Sequence, residues 1–305
     1  MKAPYSYFGG KASAADVVWD RFGAVDVYQE PFLGSGAVLL ARPQCRGIET
    51  VNDINAWLVN FWRAVKHNPE GLVSVAEYPV SELDLHARGD WLFYRVDWKE
   101  WCEKFRGDPE FYDLKSAGWW WYGMLHAFAN DWGRAKLGWN GKRQVNRSKP
   151  KNNVQVVSVA HSLEALKELS DRLLRVRILC GDWTRLVTKA ETFGIGMTGI
   201  FLDPPYRVKD GGHETYGINS DMYVSKHVEE WCVDNGDNPS LRIALCGYEG
   251  EHKMPTDWEC HEWKAIGGFG NQRKGGTNKN CELERIWFSP HCQKQNSLFS
   301  LIVES

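Results

Sequence analysis

The sequence predicts an α/β fold in which a mostly parallel, doubly wound sheet carries helices on both faces. Three observations predict it. Strand-like runs alternate with helix-forming segments through most of the 305 residues, which is typical of parallel strands joined by crossover helices. A strand-like run at 24–30 passes through a glycine-containing turn straight into a helix-forming segment at 37–41. Between about 68 and 170 the pattern changes to tryptophan-rich sequence, which predicts an inserted, mostly helical subdomain.

The other elements follow in chain order. A second strand is expected at 48–52 with Asp53 at its end, and the segment 55–66 repeats apolar side chains at helical spacing. Further strands are expected at 176–180, 199–202, 241–246, 258–265 and 284–288. Residues 1–67 and 171–305 are therefore expected to form the domain that contains the sheet, with 68–170 as a second domain inserted into it.

The composition indicates a soluble globular protein, with 43% hydrophobic and 25% charged residues. The chain has no apolar run of membrane-spanning length, and its first residues lack the apolar stretch of a signal peptide. A cytoplasmic location is therefore expected. The eight cysteines lack metal-site spacing, so we expect reduced thiols and no metal site.

Local charge is less even than the formal net charge of −2 suggests. Residues 134–151 carry seven basic side chains and no acidic one, and a second acid-free stretch, 263–281, carries four. Isolated basic runs are more often solvated loops than binding surfaces. The two stretches therefore indicate nucleic-acid binding only if other motifs supply matching chemistry.

The turn at 30–36 has the sequence Glu-Pro-Phe-Leu-Gly-Ser-Gly, and its glycines let the backbone approach a bound nucleotide closely. A dinucleotide fingerprint requires a third glycine where Leu39 stands, so a dehydrogenase is disfavoured. Asp53 closes the next strand, where an acidic side chain can accept hydrogen bonds from ribose hydroxyls. An adenosine-bearing cofactor fits this arrangement, and a simple cap of the following helix is the alternative role for Asp53.

Asp203-Pro204-Pro205-Tyr206 follows a run typical of a buried strand. Two prolines fix φ and remove two N–H donors, so the loop offers acceptors suited to an NH₂ group. An aromatic amine is a poor nucleophile because its lone pair is delocalised, and a carboxylate and a carbonyl in fixed geometry can activate it. Tyr206 can stack on a base that has left a duplex. An ordinary tight turn is the alternative.

Five motifs in this order resemble the Dam-like DNA adenine-N6 methyltransferases (D12 class, alpha group), most closely the phage and orphan members. They are Tyr7-Phe8-Gly9-Gly10-Lys11, Glu30-Pro31-Phe32-Leu33-Gly34-Ser35-Gly36, Asp53, Gly181-Asp182-Trp183 and Asp203-Pro204-Pro205-Tyr206. The segment 284–290 adds to the resemblance, which covers the insert only weakly. It implies a Rossmann-like class I methyltransferase fold, a bacterial or phage-infected cell as the setting, S-adenosylmethionine as cofactor, and methyl transfer to N6 of a flipped-out adenine in double-stranded DNA.

The resemblance also implies roles for particular residues. Asp203, Pro204 and Tyr206 would act on the target base. The implied cofactor contacts are Tyr7, Gly10, Lys11, Pro31, Phe32, Gly34, Ser35, Gly36, Asp53, Ile54, Asp182, Trp183 and Asp203. The insert 68–170 would be the target-recognition domain, in agreement with the basic stretch inside it. The expected DNA contacts are Arg134, Lys136, Asn140, Lys142, Arg143, Arg147, Arg273 and Lys274.

Other functions share parts of this pattern. A methyltransferase acting on RNA or on a protein glutamine would use the same amine-accepting chemistry, although the glutamine enzymes more typically open the tetrapeptide with Asn. A cytosine-N4 methyltransferase would use the same amine chemistry, and a non-catalytic DNA-binding subunit could share the fold. The chain contains no Pro-Cys dipeptide, so direct transfer without a covalent enzyme intermediate is expected. No membrane and no obligatory protein partner are expected, and the protein would be a monomer or a homodimer.

The loop 269–280 connects the last two expected strands. If the strand at 258–265 runs parallel to the core strands, this basic, glycine-rich loop lies on the cofactor side and could close over DNA. An ordinary hairpin connection is the alternative.

Overall fold

The computed structural model of the protein describes residues 1–5, 11–43, 47–78, 81–95, 97–126, 162–188, 194–206, 223–263 and 283–294. The strands are β1 (Val27–Glu30), β2 (Ile48–Asp53), β3 (Val176–Cys180), β4 (Thr198–Leu202), β5 (Leu241–Tyr248), β6 (Glu259–Glu262) and β7 (Glu284–Phe288). The helices are α1 (Ala15–Phe22), α2 (Ala37–Leu40), α3 (Ala56–His67), α4 (Pro69–Ala76), α5 (Glu82–Asp90), α6 (Trp98–Gly107), α7 (Leu114–His126), α8 (Ser162–Leu173) and α9 (Val224–Asn235). A π-helical turn covers Trp91–Arg95, and a 3₁₀ turn covers Trp183–Arg185.

All seven strands form one sheet in the order β3-β2-β1-β4-β5-β7-β6. The first five strands in this order are parallel, and β7 is antiparallel to β5. Because β6 is antiparallel to β7, it runs in the same direction as the five parallel strands. This architecture confirms the predicted α/β fold, and it brings the end of β6 to the edge where β1, β2 and β4 also end.

Most expected elements match the structure closely. Strands β3 and β7 have the predicted bounds, and β5 continues two residues past the predicted end at 246. Strand β6 covers Glu259–Glu262 of the expected 258–265, of which residues 264 and 265 lie outside the described ranges. The sequence did not predict α1, α8 or α9 as separate helices. Among the described residues, no helix is long and apolar enough to cross a bilayer.

The segment 68–126 shares its hydrophobic core with the sheet domain. Trp120 and Trp121 on α7 are buried, and both rings pack against Phe61 on α3. Helix α7 also contacts α4 and α5, so these helices form a layer outside α3. These tryptophans therefore have the core role that their size favours. The division into a sheet domain and a recognition domain stays a prediction, and residues 127–161 lie outside the described ranges.

One buried cation on α3 joins the end of α6 to the sheet. Arg63 on α3 is only 1% exposed, and its guanidinium donates to backbone carbonyls instead of a carboxylate. Nε and Nη2 donate to the Ile178 carbonyl on β3 at 3.1 and 2.9 Å. The same guanidinium donates to the carbonyls of Phe105, Asp108 and Phe111 at 2.9 to 3.1 Å. A single side chain thus satisfies four buried or half-buried acceptors around the end of α6.

Replacing the Arg63 guanidinium tests whether its hydrogen bonds to β3 and to the end of α6 stabilise the fold. Arg63→Met keeps most of the side-chain volume but leaves the four carbonyls without their donor, so we expect a loss of roughly 3 kcal/mol or more in the free energy of unfolding. Urea unfolding followed by circular dichroism measures it. Arg175→Met, at an exposed position, is the matched control and should stay within about 0.5 kcal/mol of wild type. Equal stabilities for the two variants would contradict the role of Arg63.

Candidate functional site

Four loops meet at the carboxyl edge of the sheet, where the parallel strands β1 to β4 end. Residues 31–36, here called the glycine turn, follow β1. Residues 203–206, here called the DPPY loop, follow β4. Because β1 lies between β2 and β4, the glycine turn has the end of β2 on one side and the DPPY loop on the other. The strand order of the sheet reverses between the neighbouring strands β1 and β4. Open α/β sheets bind ligands at such a switch point.

Hydrogen bonds to backbone groups hold the glycine turn and the loops after β2 and β3 together. The Leu33 N–H donates to the Asn52 carbonyl at 2.9 Å, and the Gly181 N–H donates to the Asp53 carbonyl at 3.0 Å. The buried Asn52 amide donates to the carbonyls of Pro31 and Gly181 at 3.1 and 3.0 Å. The positions of these loops are therefore fixed relative to one another, which a preformed binding edge requires.

The glycine turn uses backbone conformations that favour glycine. Gly34 and Gly36 have φ values of 48° and 61°, in the left-handed region. The Gly34 carbonyl accepts hydrogen bonds from the Tyr5 hydroxyl and the Trp62 indole, each at 3.2 Å. Gly34 and Ser35 are half-buried, so part of the turn reaches the surface.

Asp53 lies beside this turn. Its Oδ2 accepts the Gly34 N–H at 3.0 Å, and its Oδ1 accepts the Asn55 N–H at 2.9 Å. Helix α3 is capped by Asn55, whose Oδ1 accepts from Trp57 and Leu58, so capping this helix is not the role of Asp53. Desolvation raises the pKa of Asp53 to about 6, although the backbone N–H groups oppose the shift.

Aromatic rings from two loops lie next to each other at the same edge. The Phe32 and Trp183 rings are stacked with an interplanar angle of 25° and centroids 6.2 Å apart. Asp182 is exposed, and its Oδ1 accepts the Thr184 N–H at 3.0 Å. Ile54, directly after β2, is 51% exposed. Phe32, Trp183 and Ile54 therefore give the edge an apolar surface, and Asp182, next to Trp183 in the chain, adds an exposed carboxylate.

In the DPPY loop, the Asp203 carboxylate is held by two donors. Lys11 Nζ lies 3.1 Å from Asp203 Oδ1, and the Tyr206 hydroxyl donates to the same oxygen at 3.0 Å. Pro204 is buried. Lys11 is only 3% exposed, and its ammonium lies 5.0 Å from the Tyr206 ring centroid and 5.6 Å from that of Trp263. The first and last of the five motifs therefore contact each other directly.

Other candidate residues lie outside the described ranges. They include Tyr7 and Gly10 among the expected cofactor contacts. The same is true of every expected DNA contact, namely Arg134, Lys136, Asn140, Lys142, Arg143, Arg147, Arg273 and Lys274. The loop 269–280 also lies outside, although β6 has the direction that would bring this loop to the cofactor side.

The family model described as D12 class N6 adenine-specific DNA methyltransferase matches residues 7–227. The chain belongs to this family. The match includes the glycine turn, Asp53 and the DPPY loop, which the fold brings to one edge. Adenine-N6 methylation of DNA is thus the activity of the family, and the family implies S-adenosylmethionine as the methyl donor. A search among curated proteins found no match.

Two buried carboxylates of this methyltransferase were missed as site residues by sequence reasoning. Glu284, the first residue of β7, accepts the Tyr206 hydroxyl at 3.0 Å and lies 3.9 Å from Lys11 Nζ. Glu30, the last residue of β1, accepts the Tyr28 hydroxyl at 2.8 Å and the Leu39 N–H at 3.2 Å. Both lie inside segments that carry the family resemblance, but the sequence does not identify their partners.

The pKa values of the site residues are shifted because several buried ionisable groups lie close together. Burial raises the pKa of Asp203 and of Glu284 above the ordinary values, and Lys11 and Tyr206 only partly oppose it. Burial disfavours the charged form of Lys11, but Asp203 and Glu284 outweigh it and raise the Lys11 pKa. Burial also raises the pKa of Glu30 to about 8. The methyltransferase therefore keeps a charged lysine among carboxyl groups that are easier to protonate than usual.

The Glu30 shift has a consequence for stability. Between the ordinary pKa of 4.5 and about 8, the folded state keeps the Glu30 proton that the unfolded state has lost. Stability should therefore fall as the pH rises through this window. Glu30→Gln removes this contribution, so the variant should lose less stability between about pH 6 and 8 than wild type.

Urea unfolding at several pH values measures the slope. Glu103→Gln, which changes an exposed carboxylate on α6, should keep the wild-type slope. If Glu30→Gln keeps that slope as well, Glu30 is not the group that titrates.

Proposed function

We propose that this methyltransferase binds S-adenosylmethionine along the glycine turn and methylates N6 of an adenine held by the DPPY loop. The observation that carries the proposal is the adjacency of β1 and β4, which places the two loops side by side. A methyl donor on the glycine turn and an acceptor on the DPPY loop would then be neighbours, as direct transfer requires.

The residues of the carboxyl edge fit the cofactor. Gly34, which is half-buried and left-handed, places bare backbone at the surface of the turn. The Asp53 carboxylate accepts backbone N–H groups, among them those of Gly34 and Asn55, and keeps acceptor capacity for ribose hydroxyls. Phe32 and Trp183 offer an apolar wall for an adenine ring, with Asp182 and Ile54 beside it. When bound, S-adenosylmethionine supplies the methyl group as a sulfonium.

Asp203 is suited to receive the target amine. Its Oδ1 binds Lys11 and Tyr206, whereas its Oδ2 has no hydrogen-bond partner within the described part of the chain. The side chain is 19% exposed, so a base can reach it. Oδ2 and the Pro204 carbonyl can each accept a hydrogen bond from N6, which lets the nitrogen become pyramidal. The raised pKa of Asp203 also makes it a better acceptor for the proton that N6 loses.

Tyr206 is assigned to the face of the target base. Lys11 lies over its ring, and the Tyr248 ring meets it edge-on with centroids 4.7 Å apart. Tyr206 is half-buried, so part of the ring stays available for stacking. An adenine in a duplex must be extruded to reach this position.

DNA recognition is assigned to the insert 68–170 and to Arg273 and Lys274. The basic stretch 134–151 can neutralise phosphates and read guanine edges, and recognition of a specific site would depend on it. The substrate is taken as double-stranded DNA, bound by a monomer or a homodimer that needs no further protein.

Removing the Asp203 charge tests the catalytic assignment. Asp203→Asn keeps the side-chain shape but loses the proton acceptor, so we expect kcat to fall about a hundredfold or more, with little change in S-adenosylmethionine binding. Purified protein is incubated with methyl-labelled cofactor and duplex DNA, and the modified nucleoside is identified. Asp257→Asn, at an exposed position, is the control. Near-normal turnover by Asp203→Asn would refute the role, and N4-methylcytosine as sole product would refute adenine as the target.

Removing the Asp53 carboxylate tests the cofactor assignment. Asp53→Ala should weaken S-adenosylmethionine binding about tenfold or more, because hydrogen bonds to a charged group are lost. Isothermal titration calorimetry gives the Kd. Asp171→Ala, on the exposed side of α8, should bind like wild type. An unchanged Kd for Asp53→Ala would place the cofactor elsewhere.

A further inference from the structure

Glu284 is a buried carboxylate at the site to which the proposed chemistry gives no role. Its side chain is 9% exposed. It accepts the Tyr206 hydroxyl at 3.0 Å and lies 3.9 Å from Lys11 Nζ, so it faces the same two donors as Asp203. Burying a second carboxylate beside Asp203 is unfavourable, because like charges disfavour ionisation. An arrangement of this kind is more typical of a functional site than of a structural one.

The backbone around Glu284 holds it rigidly. Glu284 pairs with Tyr248 across β5 and β7, and the Tyr248 ring contacts Tyr206. The Glu284 carbonyl also accepts the Arg285 guanidinium at 2.9 Å. A carboxylate on a strand that is paired on both sides is positioned more accurately than one on a loop.

The Tyr206 hydroxyl has one hydrogen but two carboxylates within reach. Asp203 Oδ1 and Glu284 Oε2 each lie 3.0 Å from the phenolic oxygen, which can donate to only one of them at a time. When Tyr206 donates to Asp203, the Asp203 carboxylate accepts hydrogen bonds from both Tyr206 and Lys11. When Tyr206 donates to Glu284, Asp203 loses one competing donor.

We propose that Glu284 is a positioning residue that takes the Tyr206 hydrogen and shares Lys11, so that Asp203 stays available to the target amine. This rests on the proposed roles of Asp203 and Tyr206. A carboxylate relieved of a donor is a stronger acceptor for the next one, so Glu284 raises the acceptor strength of Asp203 without touching the substrate.

A double-mutant cycle isolates this role. Glu284→Gln keeps the shape but is a weaker acceptor, so Tyr206 and Lys11 should return to Asp203 and kcat should fall about tenfold, with S-adenosylmethionine binding within about twofold of wild type. In a Tyr206→Phe background there is no phenolic hydrogen to place. There, Glu284→Gln should lower kcat by about threefold or less, because contacting residues are not additive.

Glu249→Gln is the matched control. Glu249 lies next to the same strand pair and contacts Arg285, but its side chain is 58% exposed, so kcat should stay within about twofold of wild type. Equal losses from Glu284→Gln in both backgrounds, or a wild-type kcat for the single variant, would overturn the proposal. If circular dichroism shows that Glu284→Gln is unfolded, Glu284→Asp replaces it in the same cycle, with the same expected non-additivity. Activity retained by Asp203→Asn would instead refute the proposed function.

Discussion

The ion pair between Lys11 and Asp203 is the contact on which the rest of the site depends. It joins the N-terminal segment to the loop after β4, and Glu284 brings the start of β7 to the same lysine. Lys11 is almost fully buried, so removing its partner would leave an uncompensated charge. Buried pairs contribute little net stability against apolar replacements. The pair is therefore better explained by the chemistry of the site than by the stability of the fold.

The sheet supplies the geometry that makes this contact possible. Strands β1 and β4 are neighbours although they are far apart in the chain, because the connections after β1 and after β3 carry the chain to opposite halves of the sheet. Asn52 then fixes the loops to one another, and Arg63 fixes the end of α6 to β3. The proposed cofactor and base sites occupy the edge that this order creates, and they would be separated by any order that moved β4 away from β1.

The sequence predicted correctly the elements whose structure follows from the periodicity or the residue types of the segment itself. Helix α3 has apolar side chains at helical spacing, β3 and β7 are short runs rich in aliphatic or aromatic residues, and the DPPY loop is rigid because of its prolines. Helix α1 was missed because its valines and aspartates are weak helix formers, and burial of Trp19, with its indole bonded to the Val38 carbonyl, stabilises it instead. The role of Glu284 could not be predicted, because a glutamate at a strand start resembles a surface residue until the sheet brings it to Lys11 and Tyr206.

A crystal structure of the methyltransferase with S-adenosylhomocysteine and a DNA duplex that it methylates is the most direct test of the proposed site. The target adenine should lie outside the helix, with N6 within hydrogen-bond distance of Asp203 Oδ2 and the Pro204 carbonyl and the cofactor along the glycine turn. An adenine bound at another edge of the sheet, or an Asp203 that contacts only Lys11 and Tyr206 in that complex, would contradict it.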